Sequence, residues 1–193
     1  MKRRNFVTVM FLGIAASVLI IPLARAQEEA PYPPAPKDVS SIAKVVSDNE
    51  PGERLVITGT VYRSDKKTPY GGIVLYFYQT DATGVYNKTN GSWQQPLIRG
   101  WVKTDPKGRY EIHTVKPGSY PGSRNPAHIH VTVRLQGERS RWLDDFLFEG
   151  DPFLRSEDVN KSAKAGSHSN VMRMTKDKDN VVHCVRDLSI DSR

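Results

Sequence analysis

The chain has 193 residues, a formal charge of +7 and one cysteine, Cys184. A single cysteine excludes an internal disulfide, and the length suits one domain with its own core. Lys2, Arg3, Arg4 and Arg25 lie in the first 26 residues, which hold no acid, so the remaining 167 residues carry +3 (7 less 4). With acids interspersed among those bases, the charge is no nucleic-acid footprint.

Residues 1–26 read as an export signal. A basic start precedes the apolar run Phe6 to Leu23, and Ala24-Arg25-Ala26 is a small-x-small cleavage site. The run is short for a membrane span, so no stable membrane anchor is expected. Arg3-Arg4-Asn5-Phe6-Val7 also fits a twin-arginine signal. Residues 27–50 form a Pro-rich arm, with Pro31, Pro33, Pro34 and Pro36. The arm is extended and offers a surface for a second copy of the chain, so a homo-oligomer is an expectation. Asp38 to Asp48 is predicted as a short helix. Residues 51–193 form the main domain.

From Arg54 the chain breaks into short runs rich in β-branched and aromatic residues, separated by turn signals. Strands are predicted over Leu55–Tyr62, Ile73–Gln79, Trp101–Thr104, Arg109–Thr114, Ile129–Leu135, Trp142–Phe148, Val171–Thr175 and Val181–Ile190. Ser64-Asp65-Lys66-Lys67 and Asp105-Pro106-Lys107-Gly108 are turns. The Ile73–Gln79 run is nearly all apolar and is expected to be buried on both faces. Ser156–Ala165 is predicted as a helix capped by Ser156. The fold class is all-β: an antiparallel β-sandwich with little helix.

One stretch carries chemistry. Gly118 to His130 puts Tyr120, His128 and His130 within eleven residues. The histidines are two apart at the start of a strand, so they project side by side on one face. That is what a shared metal ion requires, although an isolated His-x-His also occurs as two incidental surface histidines. His113 is read as structural. His183 and Cys184, being adjacent, face opposite sides of a strand and make a poor metal pair.

Several further motifs join this one: Gly84-Val85-Tyr86, then Lys116-Pro117-Gly118-Ser119-Tyr120-Pro121, then Pro126-Ala127-His128-Ile129-His130, and Phe148-Glu149-Gly150-Asp151-Pro152. Together, over about residues 52–152, the chain resembles the intradiol ring-cleavage dioxygenases. The resemblance implies a non-haem Fe(III) ion held by Tyr86, Tyr120, His128 and His130. It also implies a catechol-type substrate opened by O2 between its two hydroxylated carbons, with Tyr120 helping to take up a substrate proton. A bound trivalent cation favours loss of the phenolic protons, whose free pKa is about 10.

Two positions depart from the family pattern. Asn125 stands where an arginine usually stabilises charge on the substrate ring, with Arg124 one residue earlier, and Asp145 stands where glutamine is usual. Arg124, Asn125 and Asp145 are the expected substrate contacts, with Arg124 in the catalytic role of the missing arginine. A carboxylate beside an electron-rich diol is repulsive unless paired, so an Arg124–Asp145 ion pair is expected. Two other readings stay open: a binding module that keeps the metal site without turnover, and a copper or zinc site on His128 and His130 alone.

Overall fold

The computed structural model describes residues 30, 33–87 and 97–191. The expected export signal and residues 27–29 and 31–32 of the arm lie outside them. Twelve strands, one α-helix and one 3-10 turn (Gly166–His168) are seen among the described residues: β1 (Ile42–Lys44), β2 (Arg54–Arg63), β3 (Val74–Gln79), β4 (Arg99–Lys103), β5 (Arg109–Val115), β6 (His128–Val133), β7 (Arg141–Trp142), β8 (Phe146–Phe148), α1 (Ser156–Ala165), β9 (Val171–Met172), β10 (Thr175–Lys176), β11 (Val182–Val185) and β12 (Leu188–Ile190).

The strands form two sheets. One runs β1-β5-β2-β11-β10, with β12 also on β2; the other runs β4-β3-β6-β8-β9, with β7 also on β6. Period-two alternation builds the core between them. Leu55, Ile57 and Val61 of β2 and Ile112 of β5 meet Leu75 and Phe77 of β3 and Ile129, Val131 and Val133 of β6. β2 and β5 largely alternate buried and less buried side chains, whereas β3 is buried on both faces, Tyr76 and Tyr78 as well as Leu75 and Phe77.

The sandwich is mixed rather than antiparallel. β1 on β5, β11 and β12 on β2, and β9 on β8 are parallel pairs. Alternation fixes which residues face inward but says nothing of strand direction, so the correction falls on the short edge and terminal strands. Three predicted strands are also divided. Trp142–Phe148 breaks into β7 and β8, and Val181–Ile190 breaks into β11 and β12 around Arg186-Asp187. Val171–Thr175 crosses between the sheets: β9 pairs with β8 in one sheet and β10 with β11 in the other.

The predicted helix over Asp38–Asp48 is not a helix. Ile42–Lys44 is an edge strand in register with Glu111–His113, and it makes part of the assumed arm an element of the sandwich. So short an isolated helix is marginal in water, whereas an open sheet edge offers ready-made hydrogen bonds. Two described residues nearer the start of the arm bind the same chain. Trp101 Nε1–H donates to the Pro33 carbonyl at 3.3 Å, and Ala30 N–H donates to the Ser140 carbonyl at 3.4 Å. The helix α1 matches its predicted span, but its cap is not Ser156. Arg155 is the capping residue, in extended conformation and without a side-chain cap, and its guanidinium binds Asp158 of the first turn at 2.9 and 3.1 Å.

Candidate metal centre

The histidines reach the site because β6 alternates. Ile129, Val131 and Val133 enter the core, so His128 and His130 project from the outer face of the second sheet, with ring centroids 4.5 Å apart. Tyr76 and Tyr78 of neighbouring β3 project from that face as well. Tyr78 lies 4.7 Å from the His130 ring, and Trp142 of β7 lies 5.5 Å from it on another side. Each imidazole is anchored through Nδ1: His128 to the Pro126 carbonyl at 2.7 Å, His130 to Asp145 Oδ1 at 2.8 Å. Asp151 holds the approach to β6, accepting from Ala127 N–H at 3.0 Å and from Phe153 N–H at 2.9 Å.

The tyrosines come from two loops clasped together. Asp81 closes the first: its carboxylate accepts from Thr83 N–H at 2.8 Å, Val85 N–H at 3.1 Å and Asn87 Nδ2 at 2.8 Å. Burial opposes ionisation of Asp81, and the hydrogen bonds from Thr83, Val85 and Asn87 outweigh it, holding the pKa below the ordinary value. The Asp81 carbonyl reaches the second loop, accepting from Gly118 N–H at 2.9 Å, and Thr80 Oγ1 donates to the Gly118 carbonyl at 3.0 Å. The contact is too close for side chains. Gly84 has φ of 83°, and a Cβ there would lie 1.8 Å from the Ser119 carbonyl oxygen; one on Gly118 would lie 2.6 Å from the Ala82 carbonyl oxygen.

Tyr120 Oη is the hub of the centre. It lies 2.9 Å from Tyr86 Oη, 3.0 Å from His128 Nε2 and 3.4 Å from His130 Nε2, and the two Nε2 atoms are 3.1 Å apart. Ligands bonded to a metal at about 2.0–2.1 Å stand roughly 3.3 Å from one another in a tetrahedral arrangement. The donor chemistry makes the same demand. Both Nδ1 atoms face acceptors, so both carry the ring proton and both Nε2 atoms present lone pairs. Two phenolic protons then serve three acceptors: Tyr86 donates to Tyr120, Tyr120 donates to one imidazole, and the other imidazole faces a lone pair. Burial lowers the pKa of His128, so protonation is a costly remedy there. Burial likewise raises the Tyr86 and Tyr120 phenols, so each stays neutral without a nearby cation. A cation placed among the four atoms satisfies all of them. Asp145 clusters with the histidines, but its carboxylate sits at the Nδ1 side of His130, behind the ring relative to Nε2.

A cavity of about 570 Å³ opens over the centre. Tyr120, His128 and His130 line it and Tyr86 does not; Arg124, Asn125, Asp144, Asp145, Phe153 and Lys161 of α1 form other parts of its wall. The expected Arg124–Asp145 ion pair does not form. Asp145 is taken by His130, and the Arg124 guanidinium lies 5.8 Å from the centre of the Phe153 ring. His113 binds Glu111, and His183 binds Asp177 at 2.8 Å, away from the centre. Sequence reasoning missed Asp81, Tyr78, Trp142 and the wall built by α1. Asp81-Ala82-Thr83-Gly84 carried an Asx-turn signal that could have found the first.

Comparison with known proteins gives the family. The dioxygenase family model Dioxygenase_C matches residues 29–191. The protocatechuate 3,4-dioxygenase beta chain of Burkholderia cepacia is 32% identical over 135 residues, covering 64% of this chain and 57% of its own. Catechol 1,2-dioxygenase 1 of Acinetobacter lwoffii is 30% identical over 128 residues, covering 56% and 40%. The chain thus spans about half the length of these curated relatives. Among solved structures, the dioxygenase domain of a dioxygenase carbohydrate-binding protein fusion from Streptomyces sp. SirexAA-E superposes with TM-score 0.62 at 23% identity, covering 86% of this chain and 98% of that one. The 3-chlorocatechol 1,2-dioxygenase of Rhodococcus opacus 1CP superposes with TM-score 0.62 at 20% identity, covering 87% and 73%; at such identities the likeness is one of fold. The chain belongs to the intradiol ring-cleavage dioxygenase family.

Proposed function

We propose that the protein is an exported non-haem Fe(III) dioxygenase that opens a catechol-type aromatic diol between its two hydroxylated carbons. Tyr86, Tyr120, His128 and His130 are the ligands. The observation that carries this reading is the pair of imidazole lone pairs meeting at 3.1 Å beside two phenols that cannot satisfy both. Two phenolates and two imidazoles make a hard, anionic donor set suited to the ferric state. When bound, Fe(III) supplies Lewis acidity that draws charge from a chelated diol.

The chain does the remainder. Tyr120 lines the cavity and Tyr86 does not, so Tyr120 is the phenol placed to accept a proton from an incoming diol. Arg124 and Asn125 line the same cavity and contact the substrate ring or its substituents. One diol and one O2 are consumed, and both oxygen atoms end in the ring-opened diacid. The basic, apolar and small-x-small order of residues 1–26 supports export.

The test is oxygen uptake by the iron-loaded protein with a panel of substituted catechols. One O2 consumed per diol, with a diacid product carrying both atoms of labelled oxygen, supports the reading. Tight diol binding without oxygen consumption would instead make the protein a binding module.

A further inference from the structure

The two imidazoles of the centre are supported unequally. His128 Nδ1–H donates to a neutral carbonyl, that of Pro126, at 2.7 Å, whereas His130 Nδ1–H donates to the Asp145 carboxylate at 2.8 Å. Partners behind a metal-bound histidine fix its tautomer and ring orientation and raise its basicity, and a carboxylate does so more strongly than a carbonyl because it is charged. The rest of the His130 surroundings suit that task. Tyr78 and Trp142 hold the ring from two sides, at 4.7 and 5.5 Å between centroids, and Arg124 leaves the carboxylate free by lying against Phe153. No other cation competes for Asp145 among the ion pairs of the described residues.

We propose that Asp145 is a positioning residue whose charge acts through His130, making that histidine the stronger imidazole donor of the pair. The inference rests on the ferric reading of the centre. It also accounts for a carboxylate on the wall of a diol cavity: the charge is spent on the His130 ring rather than turned against the substrate.

Two substitutions separate charge from geometry. Asp145→Asn keeps an oxygen that accepts from Nδ1–H and removes the charge; Asp145→Ala removes both. The side chain is 37% exposed, so neither change opens a core cavity. The probes are iron itself, titrated against a competing chelator, and the phenolate-to-iron absorption band of the loaded protein. A weaker His130 donor leaves the iron more electron-poor, so the band moves to longer wavelength in both variants. Iron affinity falls in the order parent, Asn, Ala, with the loss at Asn in the range of about 10–100-fold usual for such supporting partners. A merely structural role would leave the band position alone. An Asp145→Asn protein with parental affinity and an unmoved band overturns the inference while leaving the iron reading intact. A parent protein that binds iron without such a band overturns the iron reading itself.

Discussion

The histidine pair and the tyrosine pair arrive at one point by different physical means. His128 and His130 are neighbours because a strand repeats every two residues, and the strand is held on both sides by the ladders to β3 and β8. Tyr86 and Tyr120 are 34 residues apart and stand on loops, where no periodicity places them. The Asp81 turn and the Gly84–Gly118 contact do for the tyrosines what the sheet does for the histidines. One half of the site therefore inherits its precision from the core, and the other half depends on a few hydrogen bonds and two missing side chains.

Four changes test that contrast. Removing a donor is the largest: Tyr86→Phe should lower iron affinity by more than the roughly 10–100-fold cost of losing a mere supporting contact, with the melting temperature hardly changed. Chelator competition and a thermal melt check it. Next is the clasp. Gly84→Ala forces a methyl group onto the Ser119 carbonyl at a left-handed φ, with an expected loss of about 2–5 kcal/mol and of iron-dependent colour together. If that variant keeps both, the loops are not held as described.

Asp81→Ala is smaller, about 1–2 kcal/mol for orphaned turn donors, but it should weaken iron binding because the lost carboxylate closes the Tyr86 loop and the turn it shapes carries the carbonyl that holds Gly118. Asp65 is the control. It makes the same kind of turn far from the site, accepting from Lys67 N–H and Thr68 N–H at 2.8 Å each. Its hydrogen bonds, first that from the Thr68 hydroxyl, hold its pKa at about 2, below its ordinary 3.8. A depressed carboxyl pKa stabilises the fold above the unfolded-state value, and that stabilisation is lost as pH falls through about 2. Asp65→Asn should thus lower stability slightly at neutral pH, lose its effect near pH 2, and leave iron affinity unchanged throughout. An iron effect at Asp65 would show that any loosened turn disturbs the centre.

The same division governs what could be read from the sequence. The alternation of β6 placed His128 beside His130, and the continuous apolar run of β3 marked a strand buried on both faces, because both are local patterns. The tyrosines were legible through the family motif, not through spacing. Asp81 was overlooked because its importance lies in a carbonyl that reaches Gly118, a contact 37 residues away. The Arg124–Asp145 pair was expected on charge alone, and the nearer imidazole of His130 took the carboxylate instead. The edge strand β1 was mistaken for a helix because the strand it pairs with lies some seventy residues on, Glu111–His113.

The visible absorption spectrum of the purified protein, read against its iron content and repeated with Tyr86→Phe, tests the central claim most directly. A broad phenolate-to-iron band in proportion to bound iron, diminished in the variant and shifted in the parent by anaerobic addition of catechol, is the predicted result. Iron bound stoichiometrically to a colourless protein, or a band unaffected by loss of the Tyr86 hydroxyl, would contradict a centre built from the two tyrosines and the two histidines.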